Sequence, residues 1–123
     1  FPLAFTGVCT SEMCDVTAGL KSYQDLNADV IGISVDSPFA QEAWAQKEGI
    51  TITLLSDYEH AVTKAYGVAY EQFLPAKNLI MGGVAKRSAF VIDKAGVVQY
   101  AEVLEVPSDM PNFAAIQETL RSL

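Results

Sequence analysis

The order of its apolar segments constrains the fold of this chain most strongly. Two short runs rich in β-branched residues, 28–35 and 50–55, alternate with segments whose apolar residues recur every three or four positions, 9–26 and 38–47. The runs are typical of strands buried in a parallel sheet, and the periodic segments are typical of amphipathic helices. Alternating strand and helix units predict one α/β domain, residues 1–123, with helices on both faces of its sheet.

Local signals place the ends of several elements. Pro38 suits the first position of the second helix, and Gly49 suits the position after its last turn. Residues 88–92 and 97–103 read as two strands of a hairpin, because the polar linker between them ends in glycine. A short helix is expected from Ser56 or Asp57 to Tyr66.

The remaining segments complete a thioredoxin-like layout. Residues 1–8 resemble the end of a buried strand that runs into a turn, and an amphipathic helix is expected from about Met110. Residues 70–86 carry no clear periodicity. The hairpin would add an antiparallel edge to a parallel core, so a mixed central sheet is expected.

Composition excludes several classes of protein. The 123 residues carry 8 basic and 15 acidic side chains, a net charge of −7, which is opposite to the balance of a nucleic-acid-binding protein. No apolar run approaches the roughly 18 residues of a membrane span, and no basic flank marks a signal peptide. Two cysteines with one distant histidine make a poor zinc site, so neither a metal nor another cofactor is expected.

The two cysteines lie where a loop meets a predicted helix. Thr6 suits the N-cap, and Cys9 follows three residues later, where backbone N–H groups and the helix dipole favour an anion. A thiol at that position is stabilised as the reactive thiolate, which could face the Thr6 hydroxyl. The competing interpretation is that Cys9 is a small buried apolar residue, as many free cysteines are.

Cys14 lies five residues beyond Cys9. On an intact helix it would be about 140° further round and about 7.5 Å further along, beyond the limit for a disulfide. A bond between the two sulfurs therefore requires the first turns to unwind. The intervening segment favours this, because it is rich in weak helix formers: Thr10, Ser11, Asp15, Val16, Thr17 and Gly19. Otherwise Cys14 is an inert helix residue.

A longer pattern, Pro2-x-x-x-Thr6-x-x-Cys9-x-x-Glu12, resembles the active-site signature of the peroxiredoxins. The string from Phe1 to Cys9 is especially similar to the AhpE group, whose members use one cysteine. The second cysteine five residues later resembles instead the bacterioferritin comigratory proteins, or Q type. Further blocks match in order at 33–37, 54–57, 65–68 and 87–93, so the resemblance covers essentially the whole chain.

The resemblance implies roles for the matching residues. Cys9 would be the peroxidatic nucleophile, and Thr6 and Arg87 would bind the peroxide and stabilise the transition state. Pro2 would shield the sulfenic acid from water, and Glu12 would orient Arg87. Taken alone, Arg87 at the start of a strand is more often a solvated surface residue, and no spacing argument pairs it with Cys9.

The resemblance also implies an activity and its alternatives. The expected enzyme reduces hydrogen peroxide or organic hydroperoxides, forms an intramolecular Cys9–Cys14 disulfide, and is recycled by a thioredoxin-like or other dithiol reductant. Alternatives are a one-cysteine peroxidase, a general thiol–disulfide oxidoreductase and a binding module with inert thiols. A monomer or homodimer in the reducing cytoplasm is expected. Peroxiredoxins carry a hairpin and a central strand ahead of the Pro2 loop, so further elements are expected upstream.

Overall fold

The computed structural model of the chain describes residues 1–77 and 81–123. These described residues form five α-helices and four strands: two consecutive helices, then alternating strands and helices, then a hairpin and a final helix. The unassigned segment 70–86 contains a short 3₁₀ turn, Pro75–Lys77, and its residues 78–80 lie outside the described part. In chain order the elements are α1 (Gly7–Ala18), α2 (Leu20–Asp25), β1 (Ile31–Ser34), α3 (Pro38–Glu48), β2 (Thr53–Ser56), α4 (Ala61–Ala65), β3 (Arg87–Ile92), β4 (Val98–Leu104) and α5 (Phe113–Arg121).

The four strands pair in both of the expected senses. β1 and β2 are parallel, with Ile31 opposite Thr53, and β3 and β4 form the predicted antiparallel hairpin, with Arg87 opposite Leu104. Within the described residues these pairs are two separate sheets, because β1 and β3 do not hydrogen-bond to each other. An apolar groove of about 1100 Å³ lies between them, lined among others by Phe1, Ile33, Ala89, Val91, Phe113 and Ile116. The additional strand expected upstream stays a prediction.

Two expectations about strands were wrong in detail. Residues 1–3 are not in a strand; the Phe1 nitrogen donates to Ile33 O at 2.9 Å, and a turn follows at Ala4 and Phe5. β1 is buried on one face only, since Gly32 and Ser34 are buried while Ile31 on the opposite face is 51% exposed. Close packing explains the glycine, because a Cβ at Gly32 would lie 2.8 Å from Leu54 Cδ2.

The helix predicted over residues 9–26 is divided at Gly19. Gly19 ends α1, with its N–H donating to carbonyls of the last turn, and α2 starts directly after it. The helix predicted from Ser56 or Asp57 starts later, at Ala61, with His60 at its N-cap. Asp57 still caps it from a distance, because its carboxylate accepts hydrogen bonds from the backbone of Val62 and Thr63.

α3 follows its sequence signals closely. Ser37 caps its start by accepting from Ala40 N at 3.2 Å, and Gly49 ends it in the left-handed conformation, with φ of 69°. Its Trp44 is completely buried in the main apolar core, with α1 and residues of the Ile50–Ile52 segment around it. α3 thereby fixes the position of α1, the helix that carries both cysteines. No helix in the described ranges has the length and hydropathy to cross a bilayer.

Candidate active site

Cys9 lies in the first turn of α1. Thr6 is the N-cap, with extended backbone dihedrals of −101° and 150°, and its carbonyl accepts the first helical hydrogen bond from Thr10 N at 2.9 Å. The predicted N-cap is therefore confirmed. Cys9 is only 1% exposed, so its sulfur is placed in a low-dielectric interior next to unpaired helix N–H groups.

Thr6 does not use its hydroxyl as a capping acceptor. The hydroxyl donates to Leu3 O at 2.7 Å, within the loop that precedes the helix. Within residues 1–77 and 81–123, this hydroxyl makes no hydrogen bond to Cys9, although such a contact was expected. Because the hydroxyl proton is engaged with Leu3, the oxygen lone pairs remain as acceptors for an incoming O–H group.

Arg87 supplies the polar contacts of the Cys9 sulfur. It opens β3, is 1% exposed, and donates to Cys9 Sγ from Nη1 at 3.5 Å and from Nη2 at 3.4 Å. Both terminal nitrogens of a fixed cation thus point at one sulfur. Charge-assisted hydrogen bonds of this kind can stabilise negative charge that develops on the sulfur.

Two further acceptors hold the guanidinium in place. Glu12, one turn after Cys9, accepts from Arg87 Nη1 at 3.1 Å and is itself 4% exposed, and Pro107 O accepts from Nη2 at 3.0 Å. Burial alone lowers the pKa of Arg87, but the Glu12 carboxylate and the Cys9 sulfur outweigh it and raise that pKa above its usual value. The Arg87 Nε is buried without a hydrogen-bond partner among the described residues.

Pro2 belongs to the same loop as Thr6, and its side chain is fully buried. The loop between them turns at Ala4 and Phe5 and leads directly into α1. The structure therefore brings Arg87 into direct contact with both Cys9 and Glu12, with Thr6 and the Pro2 loop at the start of the same helix.

Cys14 is not brought to Cys9. Both cysteines are free thiols on the intact helix α1, and Cys14 is half-buried. Its sulfur donates to Glu48 O, at the end of α3, at 3.8 Å. A disulfide between the two cysteines would therefore require α1 to unwind, as expected from the sequence.

Two contacts of the site join residues that no sequence pattern connects. Trp44 Nε1 donates to Thr10 Oγ1 at 3.0 Å, immediately beside Cys9, and Asp36 Oδ2 accepts from Ala4 N at 2.8 Å in the loop before α1. Each contact joins residues more than thirty positions apart. Asp36 lies just before α3 and Trp44 lies within it, and no spacing in the sequence indicates either contact.

The arrangement is that of a buried thiol with a fixed cation beside it. In residues 1–77 and 81–123, no group of three or more His, Cys, Asp or Glu side chains is placed to hold a metal ion. The reactive group that the geometry provides is the Cys9 sulfur, and Arg87 is positioned to stabilise negative charge on it and on an atom that approaches it.

Comparison with known proteins agrees with this geometry. The model of the AhpC/TSA family matches residues 1–101. Alkyl hydroperoxide reductase E of Mycobacterium tuberculosis is 37% identical over 105 residues, which cover 84% of this chain and 63% of that protein. The mitochondrial thioredoxin-dependent peroxide reductase of Mus musculus is 35% identical over 128 residues, which cover 98% of this chain and 45% of that protein. The chain thus spans less than two thirds of the length of either relative.

Solved structures give the same answer for the fold. The crystal structure of peroxidoxin BcpB from Mycobacterium tuberculosis superposes with a TM-score of 0.82 at 29% identity, covering 99% of this chain and 75% of that one. The thioredoxin-like fold predicted from the order of strands and helices is confirmed. Together with the buried Cys9–Arg87–Glu12 cluster, these similarities show that the chain belongs to the AhpC/TSA family of peroxiredoxins.

Proposed function

We propose that the protein is a thiol peroxidase that reduces hydrogen peroxide or organic hydroperoxides at Cys9. The observation that carries the proposal is the paired approach of both Arg87 terminal nitrogens to a buried Cys9 sulfur at the start of a helix. An inert buried cysteine needs no such partner, whereas a thiolate nucleophile does. Thr6 and Arg87 would hold the peroxide, and Pro2 would exclude water from the sulfur.

The first step is a two-electron oxidation of Cys9. The thiolate electron pair forms a bond to one peroxide oxygen while the O–O bond breaks, and the other oxygen takes a proton and leaves as water or an alcohol. Charge moves from sulfur to the leaving oxygen during this step. Arg87 can stabilise that charge at both places because its guanidinium already faces the sulfur. The product is Cys9 sulfenic acid.

The second step would use Cys14. Its sulfur attacks the sulfenic sulfur, an S–S bond forms and water leaves. The intact helix α1 holds the two cysteines apart, so this step needs α1 to unwind and Cys14 to leave Glu48 O. Two structural features support such unwinding: α1 contains many weak helix formers, and it ends at Gly19 after only twelve residues.

An external dithiol would complete the cycle by thiol–disulfide exchange, becoming a disulfide itself. A thioredoxin-like protein is the proposed class of reductant, in keeping with the name of the murine relative. Repeated reduction requires a reducing environment, which supports a cytoplasmic location. The chain is proposed to work as a monomer or homodimer.

One observation favours a second candidate, a one-cysteine peroxidase whose sulfenic acid is reduced directly by an external thiol. Cys14 is half-buried and held at Glu48 O, away from Cys9. A general thiol–disulfide oxidoreductase has less support, since such proteins usually carry two cysteines separated by two residues rather than four.

Stoichiometric oxidation distinguishes these functions. The reduced protein is mixed with one equivalent of hydrogen peroxide or an alkyl hydroperoxide, and free thiols and mass are followed with time. Rapid loss of both thiols indicates the two-cysteine peroxidase, and loss of one thiol with a trapped sulfenic acid indicates the one-cysteine form. If both thiols survive as long as free cysteine does, the peroxidase proposal is wrong.

Two variants control the assay. Cys9→Ser should abolish rapid oxidation, since it removes the nucleophile. Cys14→Ser should oxidise at the rate of the unmodified protein but stop at the sulfenic acid. If Cys14→Ser instead forms product and turns over with a dithiol at the unmodified rate, Cys14 is not the resolving residue.

A further inference from the structure

The loop from Pro2 to Thr6 carries two residues of the proposed site. One hydrogen bond lies within it, from the Thr6 hydroxyl to Leu3 O. The loop turns at Ala4 and Phe5, and Phe5 adopts a left-handed backbone conformation with φ of 64°, which is uncommon for a residue other than glycine. Residues persist in this conformation only when their surroundings hold them there. Contacts to the loop from the rest of the fold can therefore contribute to its shape, in addition to the bond from Thr6 Oγ1 to Leu3 O.

Asp36 provides one such contact. Its Oδ2 accepts from the backbone N–H of Ala4 at 2.8 Å, in the middle of the loop and 32 positions away in sequence. The same oxygen accepts from Ser34 Oγ at 2.6 Å. A carboxylate that receives a backbone N–H makes a charge-assisted hydrogen bond, which is stronger than a neutral one.

Asp36 is itself held by rigid elements. It follows β1, and its own carbonyl accepts from Ser56 Oγ, the last residue of β2, at 2.6 Å. Ser34, which has no exposed surface, accepts from Gln41 Nε2 of α3 at 2.9 Å, and Gln41 also donates to Leu55 O. The Asp36 carboxylate is thus bonded to Ser34 of β1, its backbone carbonyl to Ser56 of β2, and Ser34 in turn to α3.

We propose that Asp36 is a positioning residue for the peroxidase reaction, an inference that rests on the proposed function. Within the described part of the chain, Asp36 makes no hydrogen bond or ion pair with Cys9 or Arg87. It holds the Ala4 N–H, and through it the Pro2–Thr6 loop, in the geometry that places Thr6 and Pro2 around a peroxide bound at Cys9. Precise placement of binding groups matters because a displacement of about 1 Å can cost on the order of a hundredfold in rate.

The test compares four variants of the protein: Asp36→Ala, Asp36→Asn, Asp36→Glu and Ser56→Ala. Asp36→Asn keeps an oxygen acceptor at the same place without the charge. Asp36→Glu keeps the charge but displaces the oxygens. Ser56→Ala is the matched control, because it removes a hydrogen bond to Asp36 of similar length but leaves the contact with Ala4 intact.

Two rates are measured for each variant. One is the second-order rate of Cys9 oxidation by hydrogen peroxide, and the other is the rate of Cys9 alkylation by iodoacetamide across pH. We expect Asp36→Ala and Asp36→Glu to be oxidised about ten to a hundred times more slowly. Asp36→Asn should recover most of the rate. Ser56→Ala should be slowed much less than Asp36→Ala, because the carboxylate still accepts from Ala4 N and Ser34 Oγ. The pH profile of alkylation should stay the same in all four, since Arg87 and Glu12 are untouched.

Other outcomes would contradict either the positioning role of Asp36 or the proposed function. If Asp36→Ala is oxidised as fast as the unmodified protein, or Ser56→Ala is slowed as much as Asp36→Ala, the positioning role is wrong. A shifted alkylation profile would also refute it, because the effect would then pass through the Cys9–Arg87 pair. If Asp36→Ala does not fold, Asp36→Glu reacting faster than Asp36→Asn refutes the proposal. If the unmodified protein reacts no faster than free cysteine, the proposed function itself fails, and the positioning role with it.

Discussion

Both terminal nitrogens of Arg87 lie within 3.5 Å of Cys9 Sγ, although 78 positions separate the two residues in the sequence. The contact joins the hairpin strand β3 to the first turn of α1. Because both residues are 1% exposed, water does not screen the interaction. The proposed nucleophile and the cation beside it are thus brought together only when the hairpin packs against the helix.

Arg87→Lys tests the importance of this geometry. A lysine keeps the positive charge but offers one ammonium in place of the planar fork that reaches Sγ, Glu12 and Pro107 O. We expect the second-order rate of Cys9 oxidation by hydrogen peroxide to fall by about a hundredfold or more, measured by stopped-flow mixing. Arg121→Lys, at an exposed pair with Glu118, is the control and should react normally. A near-normal rate in Arg87→Lys would show that charge alone suffices.

Glu12→Ala should destabilise the fold strongly. The variant leaves the buried Arg87 guanidinium without its carboxylate partner, and breaking a buried pair in this way costs about 3–5 kcal/mol. The measurement is the free energy of unfolding from urea titration of the reduced protein. Glu118→Ala removes the carboxylate of an exposed pair and should cost no more than about 1 kcal/mol. Equal losses in the two variants would contradict the structural role assigned to Glu12.

Trp44 should report the unwinding of α1. It is the single tryptophan of the chain, fully buried, and its Nε1 donates to Thr10 beside Cys9. Formation of a Cys9–Cys14 disulfide would displace Thr10, so the indole emission should change when peroxide is added. In Cys14→Ser, where α1 can stay intact after the first oxidation, the change should be much smaller. An identical emission change in both proteins would mean that the indole senses the sulfenic acid rather than unwinding.

Asp57 should make stability depend on pH. Burial raises the pKa of its carboxyl, but hydrogen bonds from Val62 N and Thr63 N outweigh burial and hold the pKa below its usual value. The folded state therefore binds this proton less readily than the unfolded chain does. The stabilisation is fully present above the unfolded pKa of about 3.9 and is lost as the pH falls through the lower folded value.

Asp57→Asn is the corresponding variant. At pH 7 it should lower the free energy of unfolding by about 1–2 kcal/mol, because the helix α4 loses a charged cap. The difference from the unmodified protein should shrink as urea titrations are repeated from about pH 5 down to pH 2. Asp25→Asn, which removes a surface partner of Lys21, should change little at any pH. A difference that stays constant with pH would refute the charged cap.

Features specified by neighbouring residues could be predicted from the sequence. Pro38 and Gly49 mark the two ends of α3, and Asp93–Gly96 forms the turn of the β3–β4 hairpin. In the site, Thr6 at the N-cap and Cys9 in the first turn follow from the same local rules. These positions depend on backbone dihedrals and on hydrogen bonds within a few residues, which the sequence carries directly.

Features that depend on tertiary contacts could not be predicted from neighbouring residues in the sequence. The Cys9–Arg87 pair was expected only from the peroxiredoxin resemblance, and no pattern in the sequence indicates the contact between Asp36 and Ala4. The exposure of Ile31 depends on what packs against β1, which its apolar composition does not specify. Likewise the helix starting at Ala61 has its acidic cap four residues upstream, because His60 in a left-handed conformation brings Asp57 back over the first turn.

The break between α1 and α2 at Gly19 limits how far unwinding that starts at Cys9 can extend along the chain. α2 is held from its other end, where Ala28 N donates to Tyr23 O and the Tyr23 ring is buried in the core. Unwinding that starts at Cys9 can therefore stop at Gly19, ahead of α2. In amide hydrogen exchange, the reduced form and the proposed disulfide form should differ in protection over residues 7–18 and match over residues 20–25.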